Sequence, residues 1–265
     1  MNLWRMIKSG IKGSIMVAIG LWVTSIGIGR LITNLVFGPL AFFFIAISGS
    51  IVFETLRISE DESSKILKGL IVFGAMFITG CSLTIYNMLC YNLDFLVMVF
   101  VTVTGLIWFF LSYYGVQSKI GNYIEEIIIS LAFTLGIFYG ALLNYYIIPI
   151  YIYFFFLTAI FLQLSRELVK KFNDRESEEE NSNYETIKIA LTFQIIALIF
   201  FILPLVTTIS NLILYLYIML IGLIFIGLAI FLTVKSVLET RKIKKIGLLL
   251  KIGILIELIA FTLAN

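Results

Sequence analysis

Two polar segments hold most of the side chains that could do chemistry in this 265-residue chain. One runs from Glu54 through Arg57 and Asp61 to Lys65, and the other from Arg166 through Lys170, Lys171 and Asp174 to Glu178. Glu54, Arg57 and Asp61 stand at i, i+3 and i+7, so a helix puts them on one face. Lys171, Asp174 and Glu178 repeat that spacing, and each segment thus keeps two carboxylates beside one cation. The chain has no histidine, which removes the commonest general base and the commonest transition-metal ligand. Chemistry here must run on carboxylates, Lys, Arg, Tyr, Ser or a hard metal ion.

The elements that position these residues are membrane spans. Hydrophobic residues make up 61% of the chain and charged ones 13%, against about half and about a quarter in a soluble domain. That surplus needs lipid as its solvent. Nine apolar runs approach the length of roughly 20 residues that crosses a bilayer. They are about 13–31, 37–53, 69–89, 95–111, 123–143, 147–164, 189–207, 212–233 and 246–263. The runs are continuous rather than alternating, so helices are expected and not a barrel. Short breaks such as Asn144-Tyr145-Tyr146 imply antiparallel neighbours. The net charge of +3 is too small for a nucleic-acid binder. Cys81 and Cys90 read as buried small apolar residues, because no paired spacing suggests a disulfide framework or a zinc site.

Nine spans put the N-terminus and the loops after spans 2, 4, 6 and 8 on one side. Of the 19 basic residues only Arg30 falls near the other side. The positive-inside rule makes the basic side cytoplasmic, with the C-terminus outside. The acids follow, and only Asp94 and Glu257 stray. The polar segments lie four spans apart, which predicts two four-helix halves, about 13–113 and 123–233, followed by a ninth helix. The expectation is an all-α, multi-pass protein of the cell membrane, a single domain over 1–265, with any ionic chemistry at its cytoplasmic face.

At these residues the sequence resembles the UbiA-type family of intramembrane prenyltransferases, with the archaeal lipid and quinone branches nearest. Ser48-Gly49-Ser50 leads into Phe53–Asp61 where the family has its first acidic motif. Arg166-Glu167 and then Asp174 and Glu178 match the second. Tyr114, Lys119, Gly121-Asn122, Gly136 and Gly140 match the fourth loop and the Gly-rich fifth helix. The resemblance implies nine helices and a cytoplasmic cavity between the two motifs. It implies Mg²⁺ on Glu54, Asp61, Asp174 and Glu178, with Asp61 and Asp174 catalytic. Arg57, Tyr114, Lys119, Arg166, Lys170 and Lys171 would bind the diphosphate of a polyprenyl donor, and a lipophilic acceptor would capture the prenyl cation in an apolar tunnel. The chain departs from the pattern at Phe53, a family Asn, and at Arg57 and Lys171, family acids. Each acid-to-base exchange moves the local charge by two units, and a unit pair at 4 Å is worth about 4 kcal/mol at an effective dielectric near 20. Weakened magnesium dependence is therefore expected.

Other readings stand beside this one. Taken alone, Glu54–Lys65 reads as a solvated loop, since only Glu54 and Asp61 match. Lys235–Lys245 reads as a topology signal and anionic-lipid contact, and Arg30 as a snorkelling side chain. The glycines of the spans read as close helix packing. Lys251 and Glu257 are intramembrane charges, and the sequence gives Glu257 no account. A catalytically disarmed relative that binds isoprenoid lipid or a membrane partner is the alternative function. A transporter ranks last, because Asn87, Gln163 and Gln194 fall towards helix ends in the sequence reading and the span centres are apolar.

Overall fold

The computed structural model describes residues 3–28, 36–57, 63–117, 121–144, 150–174, 180–206, 211–239 and 244–264. Among them are nine α-helices: α1 Leu3–Ile28, α2 Phe37–Leu56, α3 Ser63–Tyr91, α4 Leu96–Gln117, α5 Gly121–Asn144, α6 Ile150–Asp174, α7 Glu180–Ile202, α8 Leu212–Glu239 and α9 Lys245–Ala264. Each answers to one of the nine apolar runs. Seven of them, α2 to α8, are long and apolar enough to cross a membrane, and α1 carries a shorter apolar stretch, Gly10–Trp22. The chain is a multi-pass membrane protein. Arg30, Asp61, Lys119 and Glu178 lie outside the described residues, and so does the loop around Glu60.

The helices start and stop for local reasons. Asn92 takes a left-handed backbone conformation with φ of 52°, which turns the chain after α3. Asp94 then accepts the Leu96 backbone N–H at 2.8 Å, so this stray acid caps the start of α4. Asn211 accepts the Leu214 N–H at 3.2 Å and caps α8 in the same way. Pro204 sits in the single 3₁₀ turn Leu203–Val206 that closes α7, where its missing N–H breaks the α-helical ladder.

The chain divides into two compact units, Met1–Ile148 and Pro149–Asn265. In the first, α1 packs on α5 and α2, and α2 also meets α3 and α4. The fifth helix, predicted to open a second half, packs within this N-terminal unit. The apolar face of α3 is left mostly to lipid, which is why Cys90 is exposed and Cys81 only half-buried. Both thiols are free, so the expectation that both are buried does not hold.

Small residues bring α1 and α5 into backbone contact. A Cβ on Gly140 would stand 2.5 Å from the Val17 carbonyl oxygen, and one on Gly136 would stand 2.6 Å from that of Gly13. This is the close approach that four-residue glycine spacing permits in a membrane. Asn144 secures the crossing by donating from Nδ2 to the Leu21 carbonyl at 2.9 Å and to Thr24 Oγ1 at 2.7 Å.

The second unit holds α6 to α9. Its α6 packs on α7 and α9, and α8 packs on α9 and α7. Gln194 of α7 donates from Nε2 to Ser165 Oγ of α6 at 2.9 Å and to Thr233 Oγ1 of α8 at 3.0 Å. Its span is Glu185–Val206, so Gln194 lies near the middle and not at the end where the sequence reading put it. Its amide ties three helices together. Glu257 of α9 is fully buried, and neither carboxylate oxygen has a partner among the described residues. Its neighbours Thr158 and Tyr215 spend their hydroxyls on the carbonyls of Phe154, at 2.9 Å, and Phe201, at 3.1 Å.

Two outcomes are expected in thermal unfolding of the purified protein. Gly140→Ile costs about 1–3 kcal/mol by overpacking the α1–α5 contact, while Gly227→Ala, which meets open space, leaves the midpoint unchanged. Glu257→Met raises stability by about 1–3 kcal/mol, since it removes an unpartnered buried polar group. A drop on that substitution means that Glu257 has a partner in the membrane-embedded protein.

Candidate functional site

The end of α2 carries the first polar segment. Glu54 is half-buried in the last turn, beside the buried Phe53 and Thr55. Arg57 is exposed and forms the C-cap. Its guanidinium carbon lies 5.4 Å from the centroid of the Phe53 ring, a cation–π distance. Phe53, at a position where the resemblance expects an Asn, therefore gives Arg57 a seat. Tyr114, near the end of α4, is exposed and has ring contacts with Phe110 and Tyr113.

The second segment lies in α6 as far as Asp174, where the helix ends, and Glu178 lies outside the described residues. Glu167 is buried there. Gln163 Nε2 donates to its Oε1 at 2.8 Å, and Arg166 Nη1 donates to the same oxygen at 3.3 Å and to Gln163 Oε1 at 3.2 Å. This triad fixes the Arg166 side chain, which is 27% exposed. The sequence reading quoted Glu167 as part of the motif but gave it no role. Its signal was available in the i, i+4 spacing of Gln163 and Glu167.

Helical phase then separates residues that the resemblance groups together. Arg166, Val169, Lys170 and Asn173 stand at i, i+3, i+4 and i+7 and share one face of α6. At 3.6 residues per turn Lys171 stands more than a quarter of a turn beyond Lys170, whereas the Asp174 position is only about a ninth of a turn beyond it. The first face meets Lys244, Gly247, Leu248 and Lys251, which have the same spacing at the start of α9. Between these two stripes lies a cavity of about 450 Å³, within the roughly 300–1,000 Å³ of ordinary ligand sites. Its charged lining is all positive: Arg166, Lys170, Lys244 and Lys251. The oxygen Oδ1 of Asn173 is buried there without a donor among the described residues. In the sequence Lys244 belongs to a stretch that reads as a topology signal and anionic-lipid contact, and Lys251 reads as a charge about one turn inside the cytoplasmic end of the last span. Their shared stripe was legible as an i, i+7 pair, but the facing helix was not.

The described residues do not themselves make a magnesium site. Of the four implied ligands only Glu54 has a described side chain, Glu167 is committed to Arg166 and Gln163, and no group of three His, Cys, Asp or Glu comes together among the described residues. The described polar chemistry on α6 and α9 is chiefly cationic, which suits an anion.

The triad yields a stability test. Arg166→Leu leaves the buried Glu167 short of a donor and costs about 1–3 kcal/mol. Glu167→Gln keeps a hydrogen-bonding group in place and costs less. Equal losses for both in thermal unfolding would show that the triad is not what holds this end of α6.

No protein-family model and no curated protein matches the chain. A solved structure of a digeranylgeranylglyceryl phosphate synthase in membranes does, with a TM-score of 0.69 and 20% identity over 100% of this chain and 99% of that one. At that identity the likeness is one of fold.

Proposed function

We propose that this chain transfers a polyprenyl group from a polyprenyl diphosphate to a lipophilic acceptor within the bilayer, as a UbiA-type prenyltransferase of the archaeal lipid or quinone branch. The observation that carries the reading is the full-length likeness of fold to a digeranylgeranylglyceryl phosphate synthase. The proposal includes nine spans in two pseudo-repeat halves plus a ninth helix. It also includes a cytoplasmic N-terminus and cytoplasmic polar ends on α2 and α6, in the cell membrane. The distribution of basic residues supports that orientation.

In this reading the allylic C–O bond of the donor ionises and its electron pair leaves with the diphosphate. The acceptor captures the carbocation and gives up a proton. Asp61 and Asp174 are the residues we assign to catalysis, with Glu54 and Glu178 as further acids. Arg57, Tyr114, Lys119 and Lys171 would contact the diphosphate. Cationic side chains neutralise a leaving diphosphate directly, and Arg does so in bidentate fashion. The replacement of acids by Arg57 and Lys171 supports a transferase in which these side chains take over part of the work of Mg²⁺. A dry apolar surround keeps water from the cation.

One observation favours a second reading. Arg57, at a family acid position, rests on Phe53, at a family Asn position. That pairing suits a relative that binds isoprenoid lipid or a membrane partner without turning it over.

Transfer from labelled geranylgeranyl diphosphate to a panel of lipophilic acceptors separates the two. The enzyme reading expects product formation that chelation of Mg²⁺ slows by less than about tenfold, with Lys171→Ala and Asp174→Asn each lowering kcat/KM by about 10²-fold. No product at any Mg²⁺ concentration, with the labelled diphosphate still bound, is the result of the disarmed relative.

A further inference from the structure

Lys171 is not among the residues lining the α6–α9 cleft, since helical phase puts it on another face of α6. Arg166 and Lys170, which the resemblance assigns to the diphosphate, face this cleft instead. None of Lys170, Lys244 and Lys251 has an acidic partner among the described residues. Cations held this close repel one another, and an anion between them relieves the repulsion.

One detail narrows the anion. Along α9, the row from Leu248 past Lys251 continues through Leu255 and Ile259, and all three apolar members are exposed. An anion in the cleft thus sits at the foot of an apolar stripe, as a phosphate sits at the foot of its acyl chains.

We propose that the cleft between α6 and α9 binds the phosphate headgroup of an anionic bilayer lipid. The phosphate lies among Arg166, Lys170, Lys244 and Lys251, and the chains run along Leu255 and Ile259. This site is independent of prenyl transfer.

Gly247 makes the test sharp. It lines the cleft, and a Cβ there meets nothing within 4 Å, so Gly247→Leu adds apolar bulk at the cleft without a change of charge. The experiment is native mass spectrometry of the full chain in detergent with phosphatidylglycerol or phosphatidylcholine added. Phosphatidylglycerol is expected to bind at least about tenfold more tightly. The double variant Lys244→Gln/Lys251→Gln should lose about thirtyfold, at roughly 1 kcal/mol per basic residue. Gly247→Leu should lose the preference with all charges intact. Lys235→Gln, which removes a lysine paired with Glu239 at 3.7 Å on α8, should bind as the unaltered protein does. A preference that survives Gly247→Leu, or that Lys235→Gln weakens as much as the double variant, overturns the cleft in favour of general surface charge. Soluble glycerol phosphate binding as tightly as the lipid overturns the lipid assignment in favour of a free anion.

Discussion

A bilayer core offers no water to a polar group, and that constraint shapes this protein at every level. The backbone answers it with helices. The hydroxyls answer it by folding back on their own helix: Thr84, Thr134, Thr233 and Thr262 each donate to the carbonyl four residues earlier, at 2.9, 2.9, 2.8 and 2.7 Å. Two amides answer it across helices, Asn144 between α5 and α1 and Gln194 among α6, α7 and α8, while the buried amide of Asn87 has no partner among the described residues. The hydroxyls of Thr158 and Tyr215 beside Glu257 donate to carbonyls, which leaves their oxygens only as acceptors toward its carboxyl.

Lipid removes the other force that assembles soluble helices, since tails are as apolar as the side chains. Contact area and backbone approach must do more. The α1–α5 crossing shows how, with Gly136 and Gly140 of one helix set against carbonyls of the other. Glycines that the resemblance associates with a functional fifth helix here serve packing, and they do so inside the N-terminal unit.

Apart from the buried Glu257 in the middle of α9, charge gathers towards the ends of helices. On α6 a buried Gln163–Arg166–Glu167 triad orders the C-terminal half. The same turns present a basic stripe to α9, with Lys171 on a different face. One short polar segment thus serves two directions, so a motif read along the chain as a single ligand set need not act as one. The charged lining of the cleft between α6 and α9 is all positive.

The sequence by itself determined the nine helices and the gathering of charge at their ends, because hydropathy over about 20 residues is a local property that the bilayer reads directly. It also gave the α6 segment as helix as far as Asp174, which needs only the α-helical period. It did not give the partners of those helices. Nothing local says that α5 packs on α1, that Gln194 finds Ser165 and Thr233, or that Lys244 and Lys251 face Arg166 and Lys170 across a cavity. Those outcomes depend on side chains meeting across long stretches of chain, where complementarity of shape and unmet hydrogen bonds decide and periodicity carries no information. Asp94 marks the boundary between the two: the sequence counted it a stray acid, and the turn at Asn92 made it the cap of α4.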